Sequence, residues 1–212
     1  YECDFRVQYQ TVLHSMKMIF NPSLLNAHAH VYLKKLWEKS CARGKDCATV
    51  RDLLDMRAGV FFDEDYLATE GPIIDYRYAA NWNPVPKDHE VGDLRSFMST
   101  LTEPDGPHGG RFHYVSPNTD LLAWVFERAS GMRYAELVTE RLWKPLGTEA
   151  SGYITVDRIG GARAAGGKCL LARDLARVGM MMANGGQREG KQVIPALWLE
   201  DIVKNGDPQA WK

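Results

Sequence analysis

Phe112-His-Tyr-Val-Ser-Pro-Asn118, followed by Leu121-Leu-Ala-Trp-Val-Phe-Glu-Arg-Ala-Ser-Gly131, is the stretch on which the reading of this chain turns. Residues 112–115 suit a short extended segment, and Ser116-Pro117 supplies an N-cap and a proline at the first helical position. Leu121, Leu122, Trp124, Val125, Phe126 and Ala129 then form a buried helical face, and Gly131 stands where a left-handed residue ends the helix.

Working outward toward the N-terminus, Thr102 to Gly110 is a turn region, because its glycines and prolines forbid regular structure. Asp93 to Leu101 reads as a short helix, whereas Phe61 to Asp88 mixes acids, aromatics and prolines without a period and is expected to be irregular. Thr49 is placed to cap a helix running through Val50, Leu53, Leu54 and Met56, which Gly59 ends. Apolar residues at helical spacing predict a further helix over Pro22 to Lys39, and Cys41 to Cys47 reads as a loop.

Toward the C-terminus a helix is expected from Tyr134 to Leu142, closed by Trp143-Lys-Pro-Leu-Gly147. A strand over Gly152 to Val156, a loop at Ala164-Ala-Gly-Gly167 and a helix from Leu171 to Ala183 follow. Gly185-Gly186 stops that helix, Gln192-Val193-Ile194 is strand-like, and Pro195 to Val203 forms a last helix opened by proline. Met180-Met-Met182 and the tryptophans are expected in the core.

The 26 basic and 27 acidic residues nearly cancel, which argues against a nucleic-acid or membrane-surface footprint and favours a small neutral or mixed-charge ligand. No apolar run approaches the roughly 18 residues needed to cross a bilayer, and a cytoplasmic location is the expectation. Cys3, Cys41, Cys47 and Cys169 show no Cys-x-x-Cys spacing and are read as free thiols.

The stretch from Phe112 to Gly131 resembles the second motif region of β-lactamase-like serine hydrolases. Thr49-Val-Arg-Asp-Leu-Leu-Asp-Met-Arg-Ala-Gly59, Arg141-Leu-Trp-Lys-Pro-Leu-Gly147, Ala164-Ala-Gly-Gly167 and Arg173-Asp-Leu-Ala-Arg177 join it in the family's order. Phe61-Phe-Asp-Glu-Asp-Tyr66 and Gly206-Asp-Pro-Gln-Ala-Trp211 are similar to segments of the branch that holds class C enzymes, esterases and nylon-oligomer hydrolases. The resemblance divides the chain into a poorly matching segment, 1–47, and a β-lactamase-like middle portion, 48–212.

The resemblance implies an α/β (α+β) chain: the helix-rich portion of a β-lactamase/DD-peptidase-like fold, its antiparallel sheet incomplete. It implies hydrolysis of an amide or ester through an acyl-serine, without metal or organic cofactor, on a small-molecule substrate. A homodimer is the candidate assembly. In that chemistry a serine hydroxyl is a poor nucleophile until a base takes its proton, a task shared by a lysine in Ser-x-x-Lys and a motif tyrosine. Tyr114 matches the tyrosine, and its phenol, with an ordinary pKa near 10, acts as a base only beside a cation. Ser116 holds the position that contacts substrate or lysine, and Asp63, in an acidic run, is the candidate cleft residue.

The chain departs from the family at the nucleophile. None of its eight serines begins a Ser-x-x-Lys; the nearest approach is Ser15-Met16-Lys17, so Ser15 and Lys17 stand as candidate catalytic residues. The third motif, Lys-Thr-Gly or His-x-Gly, is expected beyond Trp211, and His108-Gly-Gly110 precedes Tyr114 in a turn region. Two alternatives remain: a pseudoenzyme or truncated binding fragment without turnover, and a zinc hydrolase using His28 and His30.

Overall fold

The computed structural model describes residues 48–211. The helix expected over Pro22 to Lys39, the Cys41 to Cys47 loop, His28, His30, Ser15 and Lys17 lie outside the described residues.

Helix α1 (Val50–Leu54) begins at Thr49, whose hydroxyl accepts the Asp52 N–H at 3.1 Å while the Asp52 carboxylate accepts the Thr49 N–H at 2.7 Å. This reciprocal pair satisfies two amides that the first helical turn leaves without partners. Thr49→Ala is therefore expected to cost about 1 kcal/mol, read as a melting temperature about 2–4 °C lower; an unchanged melt would mean that packing alone holds the helix start.

The helix stops before Met56, not at Gly59. Met56 adopts a left-handed φ of 55°, and its carbonyl accepts the His113 N–H at 2.9 Å. Gly59, at φ 64°, instead admits close backbone approach: a Cβ there would lie 2.6 Å from the Gly106 carbonyl oxygen.

Residues 61–88 are not wholly irregular. They contain α2 (Pro72–Ala79), opened by proline in its first turn, with Ile73, Tyr76 and Ala79 buried. Three inward residues at a spacing of three make a narrow stripe, which explains why no periodicity announced the helix. Helix α3 (Leu94–Met98) is capped by Asp93, whose carboxylate accepts the Arg95 and Ser96 N–H groups at 2.9 and 3.0 Å. Phe62, Tyr76 and Phe97 meet with ring centroids 5.6–6.1 Å apart, locking α2 and α3 together.

The central helix α4 (Ser116–Ser130) ends as its sequence demands: Gly131 takes φ 69° and its N–H donates to the Glu127 carbonyl at 2.9 Å. Its start differs by one residue, since Val115 is the extended N-cap and Ser116 is already the first helical residue. Every residue from Ser116 to Ala123 is buried, so α4 is enclosed by the rest of the fold over its first two turns.

Helix α5 (Tyr134–Val138) runs into a π turn over Thr139–Trp143. The hairpin β1 (Tyr153–Ile154) and β2 (Lys168–Cys169) pairs antiparallel, Tyr153 opposite Cys169 and Ile154 opposite Lys168. Helix α6 (Ala172–Ala183), a second antiparallel hairpin of β3 (Gln187–Arg188) and β4 (Lys191–Gln192), helix α7 (Ala196–Lys204) and a 3-10 turn (Pro208–Trp211) complete the described chain. The expected strands at 152–156 and 192–194 shorten to two-residue pairings, because among the described residues each finds one neighbouring strand. The result is the helix-rich α/β architecture with small antiparallel sheets that the resemblance implied.

Two apolar clusters hold these elements. The larger gathers Leu53, Phe62, Tyr76, Phe97, Leu122, Phe126, Tyr134 and Leu137 around α4. The smaller joins Leu142, Leu146, Val178, Met181 and Ile194. Of the methionine run, Met181 is buried and Met180 is 48% exposed, so the run crosses the helix from core to surface. Arg51 ties α1 to α7 through Asp201 at 2.6 Å.

Candidate active site

Tyr114 lies at the end of an extended segment fixed on both sides. The Phe112 N–H donates to the Ala210 carbonyl at 2.6 Å and the His113 N–H to Met56. Asp105 anchors the same segment, accepting from Arg111 with both carboxylate oxygens at 2.7 Å and from the His113 ring at 2.7 Å. The Arg111 guanidinium, followed by His113, holds the Asp105 carboxyl below the ordinary carboxylate range. A side chain delivered by such a segment has little freedom to wander, as a reacting group requires.

Ser116 does not cap α4 with its own hydroxyl. Its backbone N–H donates to Glu64 Oε2 at 2.7 Å, and its hydroxyl donates to Glu64 Oε1. A carboxylate from 52 residues away thus sits at the positive end of the α4 dipole, where negative charge is stabilised. Tyr66 donates its phenol to the same Glu64 oxygen at 2.6 Å. Tyr114, Ser116, Glu64 and Tyr66 form one polar cluster at the N-terminus of α4, with Asp63, beside Glu64, exposed to solvent.

Burial raises the Tyr114 pKa, opposed by its hydrogen bond with Ser116; the Glu64 and Asp120 carboxylates raise it further and Arg163 lowers it. Burial outweighs the opposing contributions, so the neutral phenol is the favoured form. Burial followed by Glu64 raises Tyr66 in the same direction.

Beneath this cluster lies a buried charge network. Asp120, one turn into α4, accepts the Tyr76 hydroxyl at 2.6 Å and the Ala165 N–H at 2.7 Å. That second bond pins the Ala164-Ala-Gly-Gly167 loop to the helix. The Arg163 guanidinium stacks 3.4 Å from the Trp82 ring centroid and lies 5.6 Å from that of Tyr76. Burial pushes the Asp120 carboxyl up to about 6 against the opposing pull of these partners.

Sequence reasoning singled out Tyr114 and Ser116, which the fold brings together, and Asp63, which faces outward beside the carboxylate that reaches them. The acidic run that supplied Asp63 as a candidate also holds Glu64; Tyr66, Asp120 and Arg163 were missed. The available signal for Asp120 is an acid one turn after Ser116 inside an apolar helical face. Glu64 carries no comparable local signal, since its partner is distant in sequence.

The family model described as Beta-lactamase matches residues 23–201. A 6-aminohexanoate-dimer hydrolase of Paenarthrobacter ureafaciens is 37% identical over 165 residues, covering 78% of this chain and 41% of that protein. A provisionally assigned 6-aminohexanoate-dimer hydrolase from Bacillus anthracis superposes with a TM-score of 0.76 at 29% identity, over 94% of this chain and 51% of that one. A D-stereospecific amidohydrolase from a Streptomyces species shares the fold at a TM-score of 0.61 and 19% identity, over 96% of this chain and 64% of that one. The chain thus spans about half the length of the first two relatives. The family match covers most of the chain and agrees with the order of the motifs, and the chain belongs to the Beta-lactamase family.

Proposed function

We propose that this protein is a serine hydrolase of small linear amides, with the cluster at the α4 N-terminus as part of its active site. The observation that carries the reading is Tyr114, held half-buried against Ser116 beside the Glu64 carboxylate, in a chain of this family. The similarity to 6-aminohexanoate-dimer hydrolases points to an amide between short aliphatic units as the substrate class.

In the proposed reaction the Ser15 hydroxyl oxygen bonds to the amide carbonyl carbon as its proton passes to the base formed by Lys17 and Tyr114. The carbon–nitrogen bond then breaks, the amine leaves with a proton delivered by Tyr114, and water hydrolyses the acyl ester to free the serine. A raised phenol pKa suits the donor half of this cycle. Ser116 orients the phenol through their hydrogen bond. The proposed setting is cytoplasmic, with a homodimer as the assembly. No described helix is long and apolar enough to cross a membrane.

The test combines amine release from linear 6-aminohexanoate dimer with mass mapping of a fluorophosphonate adduct. Hydrolysis with an adduct on Ser15 supports the reading. An adduct at a different serine moves the nucleophile and overturns the Ser15–Lys17 assignment. Neither hydrolysis nor an adduct at any serine leaves the binding fragment without turnover, a reading favoured by the absent Ser-x-x-Lys.

A further inference from the structure

The turn from Thr102 to Gly110 fastens two chains at once. The Phe61 N–H donates to the Glu103 carbonyl and the Asp105 N–H to the Gly59 carbonyl, both at 2.9 Å. The Arg57 guanidinium donates to the Gly110 carbonyl at 2.6 Å, and the Gly109 N–H donates to the Arg57 carbonyl at 2.9 Å. The turn is thereby fixed to the chain that leads to Glu64, three residues beyond Phe61.

Asp105 reaches from this turn to the segment that delivers Tyr114. Its carboxylate takes the Arg111 guanidinium on both oxygens and the His113 ring on one, each at 2.7 Å, with its side chain only 17% exposed. Hydrogen bonds to an ionised group are roughly twice as strong as neutral ones. Side chains alternate across an extended segment, so Arg111 and His113 share one face and Phe112 and Tyr114 the other. The backbone bonds of Phe112 and His113 fix the path of the chain, but a single N–H···O bond tolerates a broad range of angles and resists twisting weakly. A grip on both side chains of one face sets that twist, and with it the direction of the phenol on the opposite face.

We propose that Asp105 is a positioning residue of the active site, aiming the Tyr114 phenol at the Ser116–Glu64 cluster by clamping Arg111 and His113. Its effect on turnover rests on the hydrolase reading, whereas the aim of the phenol is measurable without turnover.

Asp105→Asn keeps the size of the side chain and the backbone bond to Gly59, and leaves one acceptor oxygen for two partners. Arg111→Met, at a side chain mostly open to solvent, removes the other half of the clamp. The readout is the titration of 3-fluorotyrosine placed at position 114, followed by its fluorine resonance in chains that circular dichroism shows to be folded. Burial is the main cause of the raised Tyr114 pKa, so a phenol that loses its aim should titrate lower in both variants. The two substitutions remove opposite charges, so a purely electrostatic effect would move the midpoint down in Asp105→Asn and up in Arg111→Met. With native Tyr114, Asp105→Asn should lower kcat for linear 6-aminohexanoate dimer about 10–100-fold, the scale of a small misplacement of a reacting group, with KM within about threefold. Midpoints that stay put or move in opposite directions overturn the proposal, as does an unchanged kcat in a chain that hydrolyses the dimer. Where Asp105→Asn does not fold, Arg111→Met decides alone: a lower midpoint supports the clamp and an unchanged or higher one overturns it. A native chain without hydrolysis overturns the hydrolase reading, and the titration still decides whether Asp105 aims Tyr114.

Discussion

Tyr114→Phe is expected to lower the turnover of linear 6-aminohexanoate dimer about 10²–10⁴-fold, the usual worth of a positioned proton-transfer group. The change removes one hydroxyl and keeps the ring. Because Tyr114 is only half-buried and the segment carrying it is held by Met56, Ala210 and Asp105, the thermal melt should move by no more than about 2 °C. KM should change far less than kcat, since in the proposed reaction the lost interaction belongs to the moving proton and not to ground-state binding. Equal kcat in the variant would remove Tyr114 from the chemistry. A large drop in melting temperature would instead make the phenol a structural group.

Asp120→Ala is the substitution expected to damage the fold most. It strips the Tyr76 hydroxyl and the Ala165 N–H of their acceptor and leaves Arg163 and Lys168 without the carboxylate that balances them. Removing one partner of a buried charge network costs about 3–5 kcal/mol, equivalent to a melting temperature roughly 6–20 °C lower. Denaturant unfolding of the two proteins at equal pH is the measurement, and a loss below 1 kcal/mol would show that the network relaxes around the gap.

The same residue has a pH signature. Its carboxyl titrates near 6 in the fold against an ordinary value of 3.8, so the folded state binds the proton more tightly than the unfolded state. That contribution is fully present below the unfolded value and is lost as pH rises through about 6. Relative to Asp120→Asn, which cannot titrate, the native chain should gain on the order of 1 kcal/mol on going from pH 7 to pH 5. A difference that stays constant, or runs the other way, would place the Asp120 pKa at or below its ordinary value.

The features legible in the sequence were those with local causes. Thr49 three residues before Asp52 writes a capping box, and Gly131 after an apolar helical face writes a left-handed stop; both act within one turn of chain. The family was legible because the motif running through Tyr114 and Ser116 is contiguous, and the motif order sufficed to identify it.

Tertiary structure decided what distant residues do to one another. Whether Asp63 or Glu64 reaches α4 depends on the rotation of one residue in a loop, which no periodicity records. Tyr76 and Asp120 are 44 positions apart, and Asp120 and Ala165 are 45 apart. Their bonds exist because desolvation makes a buried carboxylate unaffordable without donors, a demand that any donor of suitable reach could meet. The local sequence therefore determined where helices begin and end and which family the chain joins; only the packed fold determined which partners hold Ser116 and Asp120, since that choice rests on three-dimensional proximity and not on spacing along the chain.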